Sequence, residues 1–216
     1  MRPDRAREIV ADMDRYVHHD RVFLNNPAVM QGMGLAPLVI AATTGRYALM
    51  LWAAVALLLT PTRVLSCLAL RRVRQPLLRV MGYSGIAACV YIGVRALLGS
   101  LLGNDLLELG IYLPMLVVDP LVIYRGGRVA EPLHKAVSKG LRITVGYGLI
   151  LVLTGCLREL LAGGTVFGAA VAQGVPLPFM SLPAGGFILV GVLFAIWRAL
   201  CAFYKDYVRA EAKREE

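Results

Sequence analysis

The sequence predicts an all-α membrane protein with six transmembrane helices, arranged as an inverted repeat of three plus three helices in which the first and fourth segments are broken half-helices. Three observations support this fold class. The chain is 58% hydrophobic and has a mean hydropathy of +0.66, far above the values of soluble domains. Proline interrupts two apolar segments at matching places in the two halves, and basic residues alternate between dense and sparse linkers.

Six apolar stretches each come close to the roughly 20 residues that a helix needs to cross a bilayer. They lie near residues 28–44, 47–68, 77–99, 106–124, 141–162 and 183–204. The chain therefore divides into a polar cytoplasmic N-terminal segment (1–26), a six-helix transmembrane domain (27–205) and a charged cytoplasmic tail (206–216). The first 25 residues are too highly charged for a cleavable signal peptide.

The first and fourth stretches contain the breaks. Gly34 and Pro37 interrupt the first stretch, and Gly110 and Pro114 interrupt the fourth. A proline inside a helix removes a backbone donor and clashes with the preceding turn, so a membrane tolerates such a break only where protein or a water-filled cavity surrounds it. Because the breaks stand three segments apart, the two halves cross in opposite directions. Paired breaks of this kind indicate a site near the membrane midplane.

The linkers predict the orientation of the chain. Lysine and arginine are dense before the first stretch, between the second and third, between the fourth and fifth, and after the sixth, whereas the alternate linkers are nearly bare of them. The positive-inside rule therefore places both termini in the cytoplasm. The net charge of +9 lies in these short linkers without interleaved aromatic residues, which argues against a nucleic-acid partner and for a lipid bilayer.

Four sets of motifs carry a family resemblance. They are NNPA (25–28) with GLAP (34–37), LGIYLP (109–114) with VVDP (117–120), LREL (157–160) with GGTVF (163–167), and LPAGGFI (182–188). These motifs resemble the NqrD/RnfE family, whose members are integral membrane subunits of ion-pumping NADH:quinone and ferredoxin:NAD oxidoreductases. The last two sets favour the E-type subunit over its A-type sister.

The resemblance implies a place in a larger assembly of the bacterial or archaeal inner (cytoplasmic) membrane. A chain of this family is non-catalytic by itself and pairs with a sister membrane subunit of opposite topology, RnfA- or NqrE-like. Together the two would form the membrane core that couples electron transfer to Na⁺ or H⁺ translocation. Flavins and iron–sulfur clusters would reside in partner subunits.

The chain departs from the family at two cluster-ligand positions. The resemblance implies a cysteine in each broken segment, and these positions are Ala36 and Pro120 here. Neither residue offers a thiolate, and iron–sulfur clusters need thiolate or imidazole donors. We therefore predict no metal ligand and no cofactor bound by this chain alone, while a cluster in the sister subunit or in another part of the complex stays open. The cysteines lie on four different stretches without ligand spacing and are interpreted as small buried residues: Cys67, Cys89, Cys156 and Cys201.

Three charged residues within the apolar stretches are candidate ion or charge sites. Asp119 stands beside Pro120 in the fourth stretch, where an uncompensated carboxylate is costly. It is either a cation or proton site (or the partner of a neighbour's arginine), or a group near the cytoplasmic boundary that is solvated by water or by a backbone donor that the break frees. Arg158 and Glu159 lie toward the outer face, where we expect Arg158 to pair with Glu159 or with an outer acid such as Asp105 or Glu108.

Three functions remain open from the sequence. The first is a membrane subunit of an Rnf- or Nqr-like redox complex that couples electron transfer to ion movement. The second is a structural subunit of a divergent electron-transfer complex without its own redox centre. The third is a stand-alone secondary transporter built on the same inverted repeat. The sequence contains no motif of a membrane enzyme, such as a nucleophile–base set or paired carboxylates.

Overall fold

A computed structural model describes residues 10–13, 17, 20–73, 75–123, 133–171 and 177–213. Most of the predicted N-terminal segment lies outside these residues. The described residues also leave out Tyr124 at the end of the fourth stretch, the basic loop that follows it, and the last three residues of the tail. The division of the chain at residues 26 and 205 therefore stays a prediction.

Four long helices form the body of the molecule. They are α2 (Gly45–Ala69), α3 (Pro76–Leu102), α7 (Leu133–Gly163) and α8 (Pro183–Lys213). Each is long and apolar enough to cross a membrane, and they coincide with the second, third, fifth and sixth predicted stretches. Local signals mark two of their starts: the Thr44 side chain accepts a hydrogen bond from the Tyr47 N–H at the start of α2, and Pro76 occupies the first turn of α3.

The first and fourth stretches are discontinuous, as the prolines and glycines predict. The first consists of α1 (Pro27–Gln31) and, after a turn, a π-helix (Pro37–Ala41). The fourth consists of three one-turn helices, α4 (Asp105–Glu108), α5 (Tyr112–Met115) and α6 (Pro120–Ile123). Because so short a helix satisfies few of its own backbone groups, these segments depend on the long helices around them.

Two small elements connect α7 to α8. Strands β1 (Thr165–Val166) and β2 (Ala169–Ala170) pair antiparallel, with Thr165 opposite Ala170, and a 3₁₀ helix spans Pro178–Ser181. The hairpin is a small exception to the all-α prediction. It follows from Gly164 and Gly168, which adopt positive φ angles of 66° and 79° and let the chain reverse immediately after α7.

The core lies between α2 and α7, which pack closely along their lengths. Fully buried side chains from both helices meet there, among them Leu51, Leu58, Tyr147 and Leu151. A β-carbon added at Gly155 would stand 2.7 Å from the Thr44 carbonyl oxygen, so glycine permits this close approach. By contrast, α3 and α8 expose much of their apolar surface, as helices that face lipid or a partner do.

Helices α2 and α8 run opposite to α3 and α7, and this gathers most of the basic residues at one end of the molecule. The end of α2 lies beside the start of α7, where Gly140 faces Arg63, and the start of α8 lies beside the end of α7, where Gly186 faces Arg158. The described basic residues near that first end are Arg21, Arg63, Arg71, Arg72, Arg79, Lys135, Lys139, Arg142, Arg198, Lys205, Arg209 and Lys213. The spacing of basic linkers in the sequence thus becomes a charge asymmetry in the fold.

Candidate functional site

The break in the first segment is built by residues that stop and restart a helix. Asn26 is fully buried and caps α1, because its side-chain oxygen accepts the Ala28 N–H. Its amide group donates to the Gly146 carbonyl of α7 at 2.7 Å, which ties α1 to that helix. Gly32 ends α1 in the left-handed conformation that favours glycine. Gly34, also left-handed at a φ of 71°, follows before the chain turns into the π-helix at Pro37.

The break in the fourth segment has the same ingredients. Gly110 adopts a φ of 53° between α4 and α5, and Pro114 lies inside α5. Asp119 then begins the third turn, since one of its carboxylate oxygens accepts the Leu121 N–H at 2.8 Å. The structure therefore supplies the freed backbone donor that was one of the two interpretations of this carboxylate. The arrangement leaves the other interpretation open, because a capping carboxylate keeps its remaining lone pairs.

Both breaks converge on Tyr147. The hydroxyl of this fully buried residue donates to the Gly34 carbonyl at 2.8 Å, and a β-carbon at Gly34 would lie only 2.6 Å from its ring. The Asp119 carboxylate lies near enough to interact electrostatically with Tyr147 and with the Gly34 backbone N–H. Because Tyr147 is the fifteenth of the 31 residues of α7, the two interrupted segments meet beside the middle of this long helix.

The two positions where the family resemblance implies cysteines lie beside this meeting point. Ala36 is half-buried and Pro120 is exposed. Neither side chain carries a donor atom for a metal, so these two residues do not fit an iron–sulfur cluster. The four cysteines are free thiols, of which Cys201 is buried, Cys67 and Cys156 are half-buried and Cys89 is exposed. The interpretation as small buried residues is therefore wrong for Cys89, which lies on the open face of α3. No group of three or more His, Cys, Asp and Glu side chains converges among the described residues.

Arg158 does not form the ion pair that the sequence predicts. Its guanidinium, fully buried, donates instead to four backbone carbonyls: Val39 at 2.5 Å, Met180 at 2.7 Å, Leu182 at 2.9 Å and Ser181 at 3.0 Å. Those carbonyls belong to the end of the π-helix and to the 3₁₀ helix before α8, where helical structure leaves acceptors unpaired. The arginine therefore neutralises the ends of two short elements rather than a carboxylate.

Glu159 makes the complementary set of bonds. Its carboxylate accepts the Gly45 N–H at the start of α2 at 2.9 Å, the Gly168 N–H of the hairpin at 2.7 Å and the Thr165 hydroxyl at 3.1 Å. Asp105, one of the two outer acids expected to pair with Arg158, pairs instead with Arg46 on the surface. The prediction that Arg158 pairs with Glu159, Asp105 or Glu108 is therefore wrong, because each charge finds backbone groups of opposite polarity at helix ends.

Two residues of the site escaped the sequence analysis. Tyr147 looked like one more apolar residue of the fifth stretch, although a buried tyrosine hydroxyl needs an acceptor. Asn26 directly before Pro27 is a recognisable helix start, but its second bond, to Gly146, depends on a contact 120 residues away. The sequence therefore indicates that Tyr147 and Asn26 need hydrogen-bond partners, but it does not indicate which groups those partners are.

The comparisons with known proteins agree with the motifs. A model of the Rnf-Nqr subunit family of membrane proteins matches residues 16–194. A protein of Shewanella frigidimarina, whose name makes it the E-type subunit of an ion-translocating oxidoreductase complex, is 33% identical over 189 residues, which cover 80% of this chain and 81% of that protein. Its namesake in Thioalkalivibrio sulfidiphilus is 31% identical over 200 residues, covering 84% of this chain and 87% of that protein. The family expected from the motifs is thus confirmed, and the chain belongs to the Rnf-Nqr subunit family of membrane proteins.

Proposed function

We propose that this chain is the E-type membrane subunit of an ion-translocating oxidoreductase complex in a bacterial or archaeal inner membrane. With a sister subunit of opposite topology it would form the core that couples electron transfer to Na⁺ or H⁺ movement. In this proposal the chain has six spans in an inverted repeat and both termini in the cytoplasm. The relatives' shared name supports membership of such a complex.

The observation that carries the proposal is the meeting of the two broken segments at Tyr147. The Gly34 carbonyl of one break accepts the Tyr147 hydroxyl, and Asp119 of the other break lies within electrostatic reach of the same side chain. Discontinuous helices that face one another within the membrane are the arrangement in which transporters hold ions. Asp119 supplies the negative charge that a cation or proton needs there, and Pro120 beside it is exposed.

Co-purification tests this proposal. The chain, affinity-tagged after Glu216 and extracted in mild detergent, should bring with it a second membrane subunit and subunits that contain flavin and iron–sulfur clusters. A matched preparation of an unrelated tagged six-span protein controls for detergent carry-over. Isolation of the chain alone as a stable, transport-competent protein would overturn the proposal and favour a stand-alone transporter.

The redox centres lie in other subunits under this proposal, because Ala36 and Pro120 replace the two thiolates that the family resemblance implies. We expect that replacing Cys67, Cys89, Cys156 and Cys201 together by serine leaves every iron–sulfur EPR signal of the assembled complex intact. Loss of one signal from an otherwise intact complex would show that one of these thiols is a ligand. A complex with intact signals but without electron transfer through the membrane core would favour the purely structural subunit.

A further inference from the structure

A basic cleft lies on the flank of α8, outside the site described above. It is open to the outside and has a volume of about 520 Å³ between α8 and α1. Its lining consists of Met30, Arg198, Cys201, Ala202, Lys205, Asp206 and Arg209. Apart from Met30, these residues recur at helical spacing along one face of α8, so the cleft follows the helix axis.

The cleft lies where α8 leaves the hydrocarbon region. The 31 residues of α8 span about 46 Å at 1.5 Å per residue, which exceeds a hydrocarbon core of about 30 Å. No charged residue occurs between Pro183 and Trp197, whereas Arg198 opens the charged part of the helix. The cleft residues therefore lie at the depth of lipid headgroups.

The charges of the cleft favour an anion. Arg198 is held in place because two of its guanidinium nitrogens donate to the Val29 carbonyl at 2.8 and 3.1 Å. Lys205 forms no ion pair with any described residue. Arg209 lies 3.6 Å from Asp206 in an exposed pair, which water weakens. The lining has three cations against one carboxylate, and the Asp20 carboxylate, which acts on Cys201 from outside the lining, still leaves an excess of positive charge.

We propose that this cleft binds the phosphate of an anionic phospholipid from the surrounding bilayer. Arginine and lysine form charge-assisted bonds to phosphate oxygens, and basic pockets at the ends of transmembrane helices bind anionic lipid headgroups. The same face of α8 continues into the membrane through Ala195, which is exposed, and Gly191, where a β-carbon would meet no atom within 4 Å. That open face gives the acyl chains a path beside the helix.

Binding of phosphatidylglycerol to the chain in its purified complex tests the proposal. Native mass spectrometry of the complex, titrated with phosphatidylglycerol or with phosphatidylcholine, should show tighter binding of phosphatidylglycerol. The K205Q/R209Q variant should bind it about 30-fold more weakly, since each basic residue near the membrane surface contributes about fivefold. R71Q/R72Q removes the same charge from an exposed turn at the same end of the molecule and should change the affinity less than twofold.

A second variant gives the opposite expected effect and leaves the basic residues intact. D206N removes the carboxylate of the cleft and should tighten phosphatidylglycerol binding severalfold. The proposal is overturned if both lipids bind equally, if the two double variants weaken binding equally, or if soluble glycerol phosphate competes as well as the lipid. It is also overturned if K205Q/R209Q releases a protein subunit and leaves the lipid in place. The site requires only that α8 spans a membrane, so its failure leaves the proposed function untouched.

Discussion

Arg158 and Glu159 are neighbours in the sequence, yet they bind opposite kinds of backbone group. The arginine collects carbonyls from the end of the π-helix and from the approach to α8, while the glutamate collects N–H groups at the start of α2 and in the hairpin. The sequence showed that both charges lie in an apolar stretch and need compensation. It could not show which groups compensate them, because these groups are backbone atoms at helix ends, and the spacing of side chains in the sequence does not reveal their positions.

Replacing Arg158 by glutamine tests this role. The shorter glutamine side chain of R158Q can donate to only some of the four carbonyls and leaves the others buried without a donor. We therefore expect the free energy of unfolding to fall by about 3–5 kcal/mol. Thermal unfolding in detergent measures the effect. The same change at Arg46, which pairs with Asp105 on the surface, should cost less than about 1 kcal/mol. Equal effects of the two substitutions would contradict the role of Arg158.

The negative charge of Asp119 and its hydrogen bond at the start of α6 can be tested separately. In a D119N variant the amide oxygen still accepts the Leu121 N–H, because asparagine caps helices as well as aspartate does, and we expect stability within about 0.5 kcal/mol of the original. Loss of the negative charge should nevertheless abolish or strongly reduce ion translocation by the complex, measured as ion uptake into vesicles. D105N removes an exposed carboxylate and serves as the control. Normal ion translocation by the D119N complex would show that Asp119 only caps helix α6.

The two interruptions could be predicted from the sequence because proline and glycine break a helix at or next to their own positions. Pro37, Gly34 and Gly110 each occur where regular helix stops. The division of the fourth segment into three separate turns was not predictable, and neither was the π-helix. Both depend on how α7 and the neighbouring segments satisfy backbone groups that the breaks release. The hairpin after α7 likewise depends on Glu159, which accepts hydrogen bonds from two of its residues.

The packing of α2 against α7 gives a prediction about helix glycines. A β-carbon at Gly155 would meet both the Thr44 carbonyl oxygen and the Ala48 β-carbon at 2.7 Å, and a backbone atom cannot move aside cheaply. We therefore expect G155A to destabilise the protein by about 1–3 kcal/mol. G93A places the same methyl group on α3, where no atom lies within 4 Å, and should be neutral or stabilise by up to about 1 kcal/mol. Detergent melting curves of both variants provide the comparison.

At the scale of the whole molecule, the alternation of basic linkers in the sequence and the direction of the long helices agree. Most of the described basic residues gather near the end of α2 and the start of α7, while Asp105 and Glu108 lie toward the start of α2, where Asp105 pairs with Arg46. This asymmetry was predictable because charge and hydrophobic length are properties of the linear sequence. The convergence on Tyr147 was not, because it joins three segments that are distant in the chain.

The orientation that this asymmetry implies is the last prediction. A reporter fused after Glu216 should be active in the cytoplasm, because the basic end of the molecule stays on that side. A second reporter inserted after Val171, between the hairpin and the 3₁₀ helix, should be active outside the cytoplasm, because α8 separates the two points by one crossing. Using both fusions excludes a reporter that is simply misplaced. Signals from both on the same side would show that α8 does not span the membrane, and exchanged signals would show that the topology is inverted.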